Sequence, residues 1–595
     1  MIVSILRDYD IPGASLAVGY RGRLVFSKGY GLSDREAGTE VNPASLFRIA
    51  SISKPFTGLA VMHLVETGRL SLDEPAFALL ENLERTFGTG PDPRLDSITI
   101  RHLLQHSGGW DRNTTFEPMF NPFISTSAAE LAGHSPPGSC RDIVRYMKGR
   151  PLQFQPGSQM VYANFGYCVL QMVIEEVSGV GYEQYVRSLL ASMGIHGMRV
   201  GRTLPSQRYF GEVHYYDHPS AALSASIFPG VEGPVARPDG AFAVEAKAAE
   251  GGWVASAPDL VRFAQHFNGQ RDPAPLSDPT VEEMLSRPSF PTSPGYYYGL
   301  SWEVQPSSGG RNWSHSGSMP GTSSLLFNSP SGLTFAVIFN SAPANHTQFW
   351  NDFPSRLSTA FATVEEWPDN DRFGESHLTL FPQFASSESI SSTVVLVNPD
   401  ATVPALGTVR PRDPEGQEIT ALMEGLPFEG GYSFEIAPGG TAFLQLSTES
   451  DELLQGWIEV ASDRPLNGTI IFGGSFGLAG VPAAVPTQRF RVPVQVRTQQ
   501  NLNTGVAIAN PDSQPAVLAV TLADEEGSPV QGGQKEVTVP PRGRLSLFVT
   551  ELFPEISLQE FRGSIMAEGD QPVTVIGLLT TANQFATLPV TRLDQ

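Results

Sequence analysis

The chain has 595 residues, 41% of them hydrophobic, and a formal net charge of −22. Its length is several times the usual domain of about 100 to 200 residues, and no apolar run reaches the roughly 20 residues that cross a bilayer, so a soluble multidomain protein is expected. The acidity opposes phosphate backbones, which proteins bind by displacing counterions with Lys and Arg, and this excludes a nucleic-acid role. In chain order, Ile11-Pro12-Gly13-Ala14 already begins a folded-looking segment, with no room before it for a signal peptide. The chain as written is therefore expected to carry no export signal, with a periplasmic or secreted location only if an upstream segment precedes it. From Ala14 to Tyr30 two apolar stretches flank Arg21-Gly22 and predict a β-hairpin. Phe56, Leu59, Ala60, Met62, His63 and Leu64 fall at helical spacing, stopped by Thr67-Gly68, and predict a helix that begins at Ser51. Ser256 caps a further helix carrying Leu260, Phe263 and Phe267. Leu325 to Phe327 and Leu333 to Phe339 read as strands around a turn at 328–332.

Past Trp367-Pro368-Asp369 the character shifts to short β-branched stretches with frequent Gly and Pro turns. Within this tail Val397-Asn398-Pro399-Asp400 recurs as Ala509-Asn510-Pro511-Asp512, and Gly456 to Pro465 corresponds to Gly563 to Pro572. Two copies of one β-sandwich domain of about 110 residues account for this. The expected division is a mixed helix and strand domain over 1–365, a linker over 366–377, and sandwich repeats over 378–489 and 490–595. Cys140 and Cys168 are too few for a disulfide framework and are read as thiols.

Three short motifs carry the chemistry: Ser51-Ile52-Ser53-Lys54, Tyr162-Ala163-Asn164 and His315-Ser316-Gly317. Of the five lysines (Lys28, Lys54, Lys148, Lys247 and Lys535), only Lys54 has a serine three residues before it. At that spacing on a helix the amine and the Ser51 hydroxyl share a face, and a crowded lysine can take the proton of a serine nucleophile or tune another base. Tyr162 and Asn164 stand at a loop-to-helix junction. The phenol serves as a base near neutral pH only if the Lys54 ammonium stabilises its phenolate, and Asn164 can donate to a substrate carbonyl. Gly317 lets the backbone approach a substrate, with the amide of Ser318 as an oxyanion donor. His106-Ser107-Gly108, a rival copy of the third motif, is assigned to structure.

Together with 47–57, Leu70-Ser71-Leu72-Asp73, 98–104, Gly251-Gly252-Trp253 and Tyr298-Gly299-Leu300, these motifs resemble the serine β-lactamase-related family. That family takes in class C β-lactamases, D-Ala-D-Ala carboxypeptidases, D-aminopeptidases and certain esterases. The resemblance covers roughly residues 10 to 360. It implies an α+β domain with a central antiparallel sheet and a helical region, ahead of the two sandwich repeats. It also implies an acyl-enzyme on Ser51, activation shared by Lys54 and Tyr162, substrate held by Asn164, His315 and Gly317, and an oxyanion hole from the amides of Ser51 and Ser318. No cofactor is implied. The substrate is expected to be a small ester, a D-amino-acid peptide or a peptidoglycan-like molecule. Class C β-lactamases carry Lys-Thr-Gly as the third motif, whereas the neutral His315 here disfavours efficient β-lactamase activity.

Three rival readings are weighed. Gly473-Gly474-Ser475-Phe476-Gly477 fits the α/β-hydrolase elbow, but no histidine follows His377 to complete a triad. His102 with His106, and His214, Asp217 and His218, have metal-ligand spacing without the glutamate of a zinc protease, and no metal site is expected. A non-enzymatic reading makes the two β-domains the functional part, contacting polysaccharide, cell wall or another protein.

Overall fold

Arg21 and Gly22 both adopt positive φ, 49° and 81°, and the chain reverses there. Strand β1 (Gly13–Tyr20) accordingly pairs antiparallel with β2 (Arg23–Asp34), because two left-handed residues match a hairpin turn to the twist of its strands. Everything described here is read from a computed structural model. It describes residues 1–595 except 219, 308, 369–370, 372–376, 388–389, 420, 429–430, 449–451, 475–476, 582–584 and 594–595.

The hairpin is one side of an eight-stranded antiparallel sheet. Its other strands are β3 (Thr39–Glu40), β4 (Tyr297–Tyr298), β5 (Glu303–Ser307), β6 (Gly310–Met319), β7 (Thr322–Asn328) and β8 (Leu333–Phe339), in the order β4-β5-β6-β7-β8-β1-β2-β3. The strands on either side of the turn at 328–332 fall where the apolar runs place them. Chain from both ends of the unit thus meets in β8 and β1, which fixes the sheet early and late residues share.

Helix α1 (Ser53–Glu66) is preceded by a 3-10 turn at Ala50–Ile52, so the helix proper begins two residues after Ser51. Eleven of its residues are buried, Lys54 among them, and a helix enclosed on all faces belongs in the middle of a core. Helix α2 (Cys140–Met147) and helix α3 (Asn164–Ser178) lie in the same core. Cys140 and Cys168 are joined by a disulfide with Cα atoms 5.7 Å apart, which corrects the expectation of two thiols. The packing of α2 on α3 brings the two Cα atoms within the span of such a bond, a proximity that no spacing in the sequence encodes. Helix α4 (Ala257–Phe267) begins where expected, with the Ser256 hydroxyl accepting from the Asp259 amide. Helix α5 (His346–Ala362) lays Phe349, Phe353 and Leu357 against Phe335 and Phe339 of β8.

The chain divides into two compact units, Met1–Gly374 and Glu375–Gln595. Residues 369–370 and 372–376 of the expected linker lie outside the described residues. Trp367 stacks on Tyr20 with ring centroids 6.0 Å apart, and Asp371 accepts from the Leu24 amide, so both are held by the first unit.

The second unit is rich in strands. Around its first core a four-stranded sheet containing Ala405–Arg412 and Leu454–Ser462 and a six-stranded sheet containing Ser391–Val397 and Asn467–Gly474 contribute Val409, Ile458, Val394 and Ile470. A second core gathers Val492, Ile508, Leu518 and Ile565. The repeated Asn-Pro-Asp motif does the same work in both places. Asn398 Nδ2 donates to the carbonyls of Val403, Ile436 and Ala437, and Asn510 Nδ2 to those of Gln514, Val539 and Pro540. The side-chain oxygen of each asparagine accepts from the aspartate amide two residues on. Ser475 and Phe476 of the rival elbow lie outside the described residues.

Candidate active site

Ala50 holds φ 48°, a left-handed conformation that costs a residue with a Cβ and turns the backbone sharply just before Ser51. The turn presents Ser51 at the mouth of a cleft of about 430 Å³, lined among others by Tyr162, Asn164, Glu250, Glu303, His315 and Ser318. Of the two serines in the first motif, Ser53 is spoken for. It is buried, donates to the Ala50 carbonyl at 2.8 Å and accepts from the Trp253 amide at 3.2 Å. Ser51 is the one whose hydroxyl faces the cleft.

Lys54 Nζ lies 3.2 Å from Ser51 Oγ, 2.8 Å from Asn164 Oδ1 and 2.7 Å from the Glu250 carbonyl. Burial removes water from the ammonium and outweighs the attraction of Glu250, Glu117 and Glu303, lowering the amine to about 7. A neutral amine in this position donates to Asn164 and Glu250 and keeps its lone pair for the Ser51 proton.

Tyr162 faces the same pair. Its ring centroid is 4.8 Å from Lys54 Nζ and 4.1 Å from the ring of His106. Desolvation of its hydroxyl pushes the phenol well above 10, and its hydrogen bond with Ser51 offsets only part of that. Near pH 7 Lys54 is divided between ammonium and neutral amine, so a phenolate at Tyr162 has only part of the stabilising charge it requires. His106 lies at the centre of the site: its Nδ1 meets the Ala163 backbone and its ring also packs on Tyr298, 4.6 Å away. His102 is occupied in capping the helix from Ile100, while Asp217 pairs with Arg237 and His218 with Ser220. Neither set of candidate ligands converges.

Asn164 bridges rather than dangles. Its Oδ1 takes the Lys54 amine and its Nδ2 donates to Glu117 Oε2 at 3.0 Å. His315 is 1% exposed, with Nδ1 against the Ser316 carbonyl at 2.7 Å and Nε2 accepting from the Tyr298 hydroxyl at 2.8 Å. Burial and the neighbouring Lys54 lower it to about 3, so it forms a neutral wall with both ring nitrogens engaged.

Strand β6 pairs with β5 only as far as Ser314, so from His315 to Met319 that edge has no strand partner among the described residues. Gly317 lies on this free edge against the nucleophile turn. A Cβ there would collide with the Ile49 carbonyl and the Ser324 hydroxyl, so only glycine allows the approach. The edge brings Ser318 to the cleft, where its hydroxyl meets His346 Nε2 at 3.2 Å. An open strand edge beside a helix N-terminus is a place where backbone amides are free for an acyl oxygen.

Sequence reasoning missed Glu117, Glu250, Glu303 and Arg112. Glu250 and Glu303 stand beside segments that carry the resemblance, Gly251-Gly252-Trp253 and Tyr298-Gly299-Leu300, and adjacency was their signal. Glu117 and Arg112 sit in a loop that no motif marks.

A serine at a strained turn and a buried lysine three residues on, set beside an eight-stranded antiparallel sheet, belong to a β-lactamase/transpeptidase-like fold. The chain belongs to the Beta-lactamase family, whose sequence profile matches residues 1–352. Residues 469–559 match a family of unknown function, DUF5719. Protein flp of Staphylococcus aureus (strain MW2) is 28% identical over 181 residues, covering 30% of this chain and 33% of that protein. Esterase EstB of Burkholderia gladioli is 32% identical over 194 residues, covering 31% of this chain and 46% of that protein. The matches thus span between a third and just under half of those relatives' length. The solved D-amino acid amidase from Ochrobactrum anthropi SV3, complexed with L-phenylalanine amide, is 24% identical with a TM-score of 0.47, covering 61% of this chain and 98% of that one. No helix among the described residues is long and apolar enough to cross a membrane.

Proposed function

We propose that the protein is a serine acyl hydrolase that cleaves small carboxylic esters or D-amino-acid amide and peptide bonds through an acyl-enzyme on Ser51. The observation that carries this reading is the Lys54 amine, enclosed, lowered to about 7 and 3.2 Å from the Ser51 hydroxyl. Neutral Lys54 takes the Ser51 proton as Oγ bonds to the acyl carbon. The developing oxyanion is held by the amides of Ser51 and Ser318. The bond to the alcohol or amine then breaks, and the leaving group takes the proton back from Lys54 directly or across the Tyr162 hydroxyl. Water repeats the sequence and frees the acid. Asn164 and Glu117 keep the amine aimed, and His315 with Gly317 forms the wall along which the acyl group lies.

The ester reading is supported by the likeness to Esterase EstB. The β-lactam reading is weakened by His315, which brings no cation to a substrate carboxylate. Turnover of p-nitrophenyl butyrate, D-alanine p-nitroanilide and nitrocefin on one preparation tests the assignment. Ester or D-amide hydrolysis should exceed nitrocefin hydrolysis about 100-fold in kcat/KM, the worth of one charge-assisted hydrogen bond. Nitrocefin as the preferred substrate would contradict it.

A further inference from the structure

Arg112 and Phe120 come to the Ser51 cleft from one segment of chain, and Glu303 comes to it from strand β5. Among the described residues that line the cleft, Arg112 is the one arginine or lysine. The lysines nearby are enclosed. Lys54 is bonded to Asn164 and to the Glu250 carbonyl, and Lys247, 1% exposed, to the Met119 carbonyl.

The Arg112 side chain is 41% exposed, and its guanidinium carbon lies 5.8 Å from the Tyr162 ring centroid. Its anionic neighbour, Glu117 Oε2, stands 3.5 Å away without a hydrogen bond between them, so the N–H donors of the guanidinium have no partner among the described residues. Glu117 is satisfied elsewhere, accepting from Asn164 Nδ2 at 3.0 Å and from the Met119 amide at 3.4 Å. A guanidinium keeps its charge at any ordinary pH, and its planar fork of donors matches a carboxylate.

The rest of the lining says where such a carboxylate would sit. Ala50, Phe120 and Met319 pack in one apolar cluster with Phe242 and Val244. Ala50 precedes the nucleophile and Phe120 ends the segment that carries Arg112, so the methylene groups of an acyl chain on Ser51 meet apolar surface on the Arg112 side. On the strand side Glu303 accepts from the hydroxyls of Ser316 at 3.1 Å and Ser314 at 3.4 Å. That side presents a carboxyl of its own and no cation. Resting on the reading of Ser51 as the nucleophile, we propose that Arg112 is a specificity-determining residue. It receives a carboxylate at the far end of the acyl group, and the preferred substrates are monoesters or monoamides of short dicarboxylic acids.

The test compares p-nitrophenyl hydrogen glutarate with p-nitrophenyl valerate on the full chain, two esters alike in leaving group and acyl length that differ in one terminal charge. The unaltered protein prefers the glutarate. In Arg112→Gln the ratio of the two kcat/KM values falls about tenfold, near the low end for a charge-assisted hydrogen bond, and Arg112→Lys recovers part of it. The loss on glutarate lies mainly in KM, because the charge is remote from the reacting carbon and is held alike before and during the reaction. Raising salt from about 0.02 to 0.5 M lowers the ratio in the unaltered protein, since a half-exposed pair is screened, and leaves it unmoved in Arg112→Gln. Where Arg112→Gln does not fold, this salt dependence in the unaltered protein decides. An unchanged ratio overturns the proposal. So does an equal loss on both esters, which would mean that Arg112 acts through Glu117 and Asn164. If neither ester is turned over and a fluorophosphonate leaves Ser51 unlabelled, the hydrolase reading itself fails. Calorimetric binding of monomethyl glutarate then judges Arg112 without turnover: about tenfold weaker binding in Arg112→Gln supports the assignment, and equal binding overturns it.

Discussion

Lys54 Nζ stands 3.2 Å from Ser51 Oγ, and the amine, not the nearby phenol, is the group lowered to titrate near pH 7. Below about 7 the amine is an ammonium and cannot accept the serine proton. Acylation, read as kcat/KM for a p-nitrophenyl ester, should therefore rise with pH through a limb near 7 and fall about tenfold per unit below it. Lys54→Met should lower kcat/KM by about 100-fold to 10,000-fold and abolish the limb. Tyr162→Phe should slow the reaction and leave the limb in place; a limb that disappears with the Tyr162 hydroxyl would make the phenol the base.

Gly317 is where strand β6 touches the Ile49 carbonyl and Ser324 hydroxyl. Gly317→Ala forces the free edge away from Ser51 and should reduce kcat about 100-fold, the scale of losing one oxyanion donor, with a smaller effect on KM. Steady-state kinetics with a thermal melt separates this from unfolding.

His315 is lowered to about 3 from an ordinary 6.5 by burial and by Lys54. Between those values the unfolded chain holds a proton that the folded protein does not, so stability rises with pH across the window and is lost as pH falls from 6.5 toward 3. His315→Gln should flatten that dependence, measured as urea midpoints between about pH 4 and 7.

Trp367 and Asp371 are held by Tyr20 and Leu24, so a fragment that keeps the first unit whole must run through Gly374. Residues 1–374 should fold and retain ester hydrolysis within about twofold of the full chain if the two units are independent. A folded but inactive fragment would mean that the strand-rich unit helps build the site.

Local patterns made much of this legible. The Arg21-Gly22 turn, the Ser256 cap and the strands around 328–332 are set by neighbouring residues, and they stand where the spacing puts them. Lys54 and Ser51 are three residues apart across a 3-10 turn that runs into the helix, so a helix-like spacing was enough to anticipate their meeting. Contacts between distant segments were hidden. Glu250 reaches Lys54 across the fold, Glu117 meets Asn164 from an unmarked loop, and the Cys140–Cys168 bond depends on how two helices pack. The further lowering of His315 to about 3 also needed its surroundings, since the residue type alone says only that it titrates near 6.5.

The most direct measurement is intact and peptide mass spectrometry after exposure to a fluorophosphonate, on the unaltered protein and on Ser51→Ala. The account predicts a single phosphonyl adduct on the peptide bearing Ser51, slower to form below pH 7, and none on Ser51→Ala. A folded, unaltered protein with Ser51 unlabelled, or a label that persists on another residue in Ser51→Ala, would contradict it.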